Sequence, residues 1–201
     1  MREDGIQTGE GKIMSGKEFC ENHFVTGYNL APWANLYRRE FLLEINHPYE
    51  ENVVMEDSDW IAWHWIHAEI VGVWNSPIYT WVMNPDSITH STHYIHKADW
   101  IKFGYRKIRD ANLYVSLSPI FSNIMKLDGK ENIRGGFMKL WKTDNYSLFY
   151  EHIGNDILAE LNKMDWNQPV KGMIAHPKHA SFVLSIIGPI LKTINIIRHK
   201  I

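Results

Sequence analysis

Apolar and polar positions follow two rhythms along this chain, and the change falls near residue 94. Before it the pattern is mixed. Gly16 to Phe24 has helical spacing, with Phe19 and Phe24 on related faces. Trp33 to Glu44 predicts a second helix, apolar at Leu36, Phe41 and Leu43 and charged at Arg38, Arg39 and Glu40. A turn at Tyr28 to Pro32 separates the two, and Ile45 to Val54 reads as a loop. A third helix opens at Asp57 or Ser58, either a reasonable N-cap, and runs to about Glu69. Ile70 to Trp74 and Ile78 to Met83 then predict two short strands around the Asn75-Ser76-Pro77 turn. Asn84-Pro85-Asp86-Ser87 is a second turn signal. Past His90 the spacing turns helical, at Ile95 to Asn112, Pro119 to Lys126, Ile133 to Trp141 and Ser147 to Lys163.

The expected organisation is an α/β portion over residues 1–94 followed by a mainly helical C-terminal extension over residues 95–201. Two short strands do not make a stable sheet by themselves. The mixed portion is therefore expected to be the end of a larger α/β unit whose earlier strands are missing.

Composition narrows the function classes. At 201 residues, 45% hydrophobic and with nine Trp, the chain has enough apolar surface for a sizeable core. Its 21 Lys and Arg against 23 Asp and Glu leave a formal charge of −2, without the basic excess of a general nucleic-acid binder. Cys20 is the only cysteine, so neither an intramolecular disulfide nor a multi-cysteine zinc site can form. Residues 1–5 lack the apolar core of a signal peptide.

The C-terminal end bears on membranes. Ala180 to Leu191 is an apolar run of about a dozen residues, short of the ~20 a spanning helix needs. Gly188-Pro189 should break or kink it. Two readings stay open for residues 180–201: an interfacial segment with a basic end, or a terminal helix packed on the domain.

Met55-Glu56-Asp57-Ser58-Asp59-Trp60 carries most of the candidate chemistry, three carboxylates in four residues ahead of the aromatic run Ile61 to Ala68. A carboxylate at a helix mouth is favoured in its ionised form and can accept a proton from a hydroxyl. It can equally be a capping charge, and spacing alone leaves both open.

A resemblance adds to this. Trp33-Ala34-Asn35-Leu36-Tyr37-Arg38-Arg39-Glu40-Phe41-Leu42, a loop, Glu56-Asp57-Ser58-Asp59-Trp60, a helix, Ile70 to Val73, Pro77-Ile78-Tyr79-Thr80-Trp81 and Ser87-Ile88 stand in one order. Over about residues 27 to 92 that series resembles the C-terminal, acceptor-side half of family 2 glycosyltransferases, which have the Rossmann-like GT-A fold. The resemblance implies inverting transfer of a sugar from a nucleotide-sugar donor to a glycan or lipid-linked acceptor, with Asp57 as general base. Glu56, Trp60 and Trp33 would then line the acceptor. It further implies a divalent cation, Mg or Mn, on the donor diphosphate in the full-length enzyme. The D-x-D motif that holds such an ion does not occur upstream of Trp33, so the chain alone is expected to take no cofactor and to be inactive. The alternative is a non-catalytic carbohydrate-binding or protein-interaction module. The helical tail and basic end, set beside that resemblance, suggest work in the cytoplasm, with the inner face of the membrane as one place for it.

His90, His93 and His96 are the remaining cluster. On a helix, spacings of three would bring them roughly to one face, where imidazoles can share a metal. Ser87-Ile88-Thr89 argues for an irregular start that scatters them. His90, near where GT-A enzymes carry a histidine that contacts metal or diphosphate, is the candidate metal contact. Trp33, Trp60, Trp63, Trp65, Trp74 and Trp81 offer faces for sugar C–H groups or for core packing.

Overall fold

The computed structural model describes residues 12–24, 32–51, 56–74, 80, 82 and 93–198, leaving aside the side chains of Ser58 and of residues 190–198. Helix accounts for 73% and strand for 4%. This corrects the expected α/β, Rossmann-like GT-A half. The described residues form nine α-helices and a single two-stranded sheet, β1 (Lys12–Met14) against β2 (Val71–Val73). The pair is antiparallel, with Lys12 opposite Val73, Ile13 opposite Gly72 and Met14 opposite Val71. A GT-A half needs strands that extend a wound sheet, and none is present among the described residues. The apolar run 70–74 does contain a strand, and its partner is the segment 12–14, which follows Gly11 and precedes Gly16. The expected strand 78–83 lies almost wholly outside the described residues.

The chain divides into two compact units, Met1–Met83 with Asp110–Lys126, and Asn84–Arg109 with Leu127–Ile201. In the first, α1 (Gly16–His23) is capped by Ser15, whose hydroxyl accepts from the Glu18 N–H at 3.1 Å. It packs on α3 (Glu56–His67) at a point where only glycine fits. A Cβ on Gly16 would lie 1.9 Å from the Trp65 carbonyl oxygen and 2.5 Å from that of Ala68. The Gly16 N–H instead donates to Ala68 O at 2.8 Å. Phe19, Cys20, Phe24, Ile61, Trp65, Ile66, Tyr114, Phe121 and Met125 fill the core beside this contact. α2 (Arg39–Ile45) is shorter than the spacing suggests, because residues 32–34 form a separate 3-10 turn. Asn46, at φ 46°, ends it in a left-handed conformation that asparagine tolerates.

In the second unit α4 (Tyr94–Asp110) crosses the part of α5 (Pro119–Met138) that follows Lys126, through two glycines. A Cβ on Gly104 would sit 2.6 Å from the Gly129 carbonyl oxygen, and one on Gly129 the same distance from that of Gly104. Asp128-Gly129-Lys130 therefore lies inside one helix, where the local pattern suggests a gap between two. Lys107, 1% exposed, pairs with Asp128 next to the crossing, its ammonium 4.2 Å from the Phe103 ring centroid. Gly154, at φ 88°, splits the expected 147–163 helix into α6 (Tyr146–Ile153) and α7 (Asn155–Asn162). α8 (Gln168–Ala175) and α9 (Pro177–Arg198) complete the unit. α9 continues through Pro189, where a break or kink was expected. Gly188 is buried against the Tyr146 hydroxyl, leaving no room there for a side chain.

Candidate functional site

The acidic cluster forms the first turn of α3. The helix begins at Glu56, so Asp57 lies inside that turn and is not the N-cap. Glu56, Asp57 and Asp59 there complement the positive end of the helix dipole, and His64 and His67 in the last turn complement the negative end. Glu56 and Asp57 are half-buried.

Behind the carboxylates stands a stack of rings. Tyr49 lies face to face with Trp60, centroids 4.7 Å apart and planes 9° from parallel. Tyr37 meets Trp60 edge-on at 5.1 Å. Trp60 is 9% exposed and Tyr49 41%, so Tyr49 is the ring of the pair that meets solvent. Burial raises the Tyr49 phenol pKa, and the nearby charges of Asp57 and then Glu56 raise it further. The two carboxylates and the Tyr49 hydroxyl thus share one electrostatic neighbourhood.

Four histidines and tryptophans repeat at helical spacing along the same face. His64 Nδ1 lies 2.7 Å from the Trp60 carbonyl oxygen, and His67 Nδ1 2.8 Å from that of Trp63. A carbonyl only accepts, so each bond places the imidazole proton on Nδ1 and leaves Nε2 as the acceptor in the neutral ring. The rings also pair, Trp60 with His64 at 3.9 Å and Trp63 with His67 at 4.5 Å. His47, delivered by the turn at Asn46, stacks on Trp63 at 5.1 Å. Its Nε2 is 3.9 Å from Asp59 Oδ2, within ion-pair range but too long for a hydrogen bond.

Burial lowers the pKa of both His47 and His64. His67 adds to the effect on His47, while the Trp60 carbonyl bond opposes it in His64. Desolvation is the larger cause in each, so both imidazoles are biased toward the neutral form. Cys20, fully buried, has its thiol pKa raised by desolvation and by Glu21, which makes it a packing residue and not a nucleophile.

Glu56, Asp57 and Trp60 therefore share the mouth of one helix. Trp33 lies on the separate 3-10 turn and is 53% exposed. His90 falls outside the described residues. His93 precedes α4 and stacks on Tyr94, and its ring lies 5.9 Å from that of His96. Among the described residues no group of three His, Cys, Asp or Glu side chains is placed to hold a metal ion. His152 Nε2 bonds Asp99 Oδ1 at 2.8 Å, joining α6 to α4. The sequence reading missed His47, Tyr49, His64 and His67. His64 and His67 were legible in principle, since Trp60/His64 and Trp63/His67 repeat at four-residue spacing. Nothing local marks His47 and Tyr49, which reach the site through the Asn46 turn.

Of the tryptophans, Trp65 is buried and Trp63 partly so, while Trp74 is 72% exposed. Trp81 lies outside the described residues. Comparison with protein-family models, with curated proteins and with solved structures returned no match.

Proposed function

We propose that the mouth of α3 receives a saccharide acceptor and that Asp57 takes the proton from its attacking hydroxyl during transfer of a sugar from a nucleotide-sugar donor. The supporting observation is the Tyr49–Trp60 stack, whose partly exposed member, Tyr49, carries a hydroxyl that feels the charges of Asp57 and Glu56. Sugar rings present C–H faces to such a ring and hydroxyls to such carboxylates. The order of motifs between Trp33 and Ser87, which resembles that of family 2 glycosyltransferases, supports the same reading, and the donor and the role of Asp57 rest on that resemblance.

The chemistry asks little of the site. Inverting displacement at the anomeric carbon needs one base, opposite the departing diphosphate, so that the acceptor oxygen forms its bond as it loses its proton to Asp57. A hydrolase would instead set two carboxyls across the scissile bond. Glu56 hydrogen-bonds acceptor hydroxyls and holds the ring against Tyr49.

A second reading, a carbohydrate-binding module without transfer, draws on the same aromatic face. Titrating glycans into the protein, with tyrosine and tryptophan fluorescence and amide shifts as readouts, tests the shared premise. Tyr49→Ala should weaken binding about tenfold or more, the size of a lost aromatic stack. Asp57→Asn should leave binding within about threefold, because the base acts in the transition state. Absence of any saccharide response at residues 47–60 would refute both readings. Binding unaccompanied by transfer in the full-length protein would leave the module.

A further inference from the structure

We propose that the outer face of α9 is a docking surface for an anionic phospholipid bilayer, on which the helix lies flat. The inference is independent of the sugar site, which sits in the other compact unit.

The first observation is how charge is distributed. All 23 carboxylates of the chain lie in residues 1–165, together with 16 of its 21 lysines and arginines, so that stretch carries −7. The remaining 36 residues hold Lys171, Lys178, Lys192, Arg198 and Lys200 without a single Asp or Glu, and carry +5. The overall charge of −2 conceals this separation. A basic end on an otherwise acidic chain is attracted to a negative surface while the rest of the chain is repelled by it.

The second observation is that α9 has two faces. Leu184 and Gly188 are buried toward the unit's core. On another face Lys178, Phe182 and Ile186 follow one another at four-residue spacing, and all three are exposed. Phe182 is 65% exposed, Ile186 56% and Ile187 39%. An aromatic and two branched aliphatic side chains held in solvent, flanked by a lysine and by no carboxylate on their own helix, match the requirements of an interfacial helix. Lys171, on α8, is also exposed. No described helix is long and apolar enough to cross a membrane, so α9 would lie on the surface.

The neighbouring groove between α6 and α9, about 920 Å³, is a poorer seat for an anion. Asp144 and Glu151 line it along with Lys178 and Phe182, which border both the groove and the exposed row. Nucleic acid fits α9 less well than lipid does, because a phosphodiester backbone would leave Ile186 and Ile187 in water. A bilayer interface takes up the apolar row and neutralises the cations together.

Flotation or sedimentation of the intact protein with vesicles tests this. The protein should bind vesicles containing phosphatidylglycerol and should not bind pure phosphatidylcholine vesicles. Binding should fall as salt is raised. Phe182→Ser with Ile186→Ser should weaken binding about tenfold or more, and Lys178→Gln about fivefold. These side chains are exposed, so circular dichroism should show all variants folded. Binding that ignores lipid charge, binding unchanged by the double variant, absence of binding, or tighter capture by duplex DNA than by anionic vesicles would each overturn the proposal.

Discussion

Alanine substituted at two glycines of the second unit should shift stability in opposite directions. At Gly104 the added methyl would lie 2.6 Å from the Gly129 carbonyl oxygen, 2.8 Å from Ile133 Cγ1 and 3.1 Å from Asn132 Cβ. The oxygen belongs to the backbone and cannot rotate away. Relief requires α4 and α5 to separate by several tenths of an ångström, along an interface that holds Ile101, Ile133 and the buried Lys107. Overpacking of this kind costs about 1–3 kcal/mol. The better helix propensity of alanine returns at most about 1 kcal/mol, and the net expectation is a loss of about 1–2 kcal/mol. Gly135, on α5 as well, has nothing within 4 Å of where a Cβ would stand, so alanine there should gain about 0.5–1 kcal/mol. At roughly 2–4 °C per kcal/mol for a chain of this size, melting curves followed by circular dichroism separate the two outcomes, and urea midpoints give an independent measure. A Gly104→Ala protein as stable as Gly135→Ala would refute the close helix crossing.

Asp128→Ala should destabilise the second unit by about 3 kcal/mol, because it leaves the buried Lys107 charge without this carboxylate. Lys107→Met should cost less, since Asp128 is 36% exposed and water can solvate it; urea unfolding of both variants compares them. The histidines give a pH dependence. His47 and His64 have folded pKa values below the ordinary 6.5, so the unfolded chain binds more protons and stability rises with pH, falling on acidification. The stabilisation should be complete above about pH 7 and decline as pH drops through 6.5 toward the folded values. His64→Gln should flatten that slope in melts recorded across the range; an unchanged slope would contradict the assignment.

Helices were the more legible part of the sequence. α1, α3 and α4 each show apolar spacing that matches the face they bury, and their ends fall within two or three residues of expectation. Errors arose where long-range contact overrode local pattern. Gly129 reads as a turn residue until Gly104 is seen against it, and Gly154 is invisible in a periodic window yet divides a helix. The strand at 71–73 was found, but its partner sits sixty residues earlier at Lys12–Met14, and hydrophobic pattern carries no information about pairing at that distance. The α/β expectation rested on two short apolar runs read as strands and on motifs known on a wound sheet, and neither fixes architecture. Within the site, Glu56, Asp57 and Trp60 were legible because they are consecutive or nearly so. The Tyr49 platform was not, since it depends on a left-handed turn at Asn46.

The central claim is that Asp57 takes the proton from a saccharide hydroxyl. Transfer from a nucleotide-sugar to a glycan acceptor, measured for Asp57→Asn in the full-length protein beside the unaltered one, tests it most directly. The account predicts a loss of about 10²–10⁴-fold in turnover, with acceptor binding and melting temperature retained. A folded Asp57→Asn protein that turns over at the unaltered rate would contradict it.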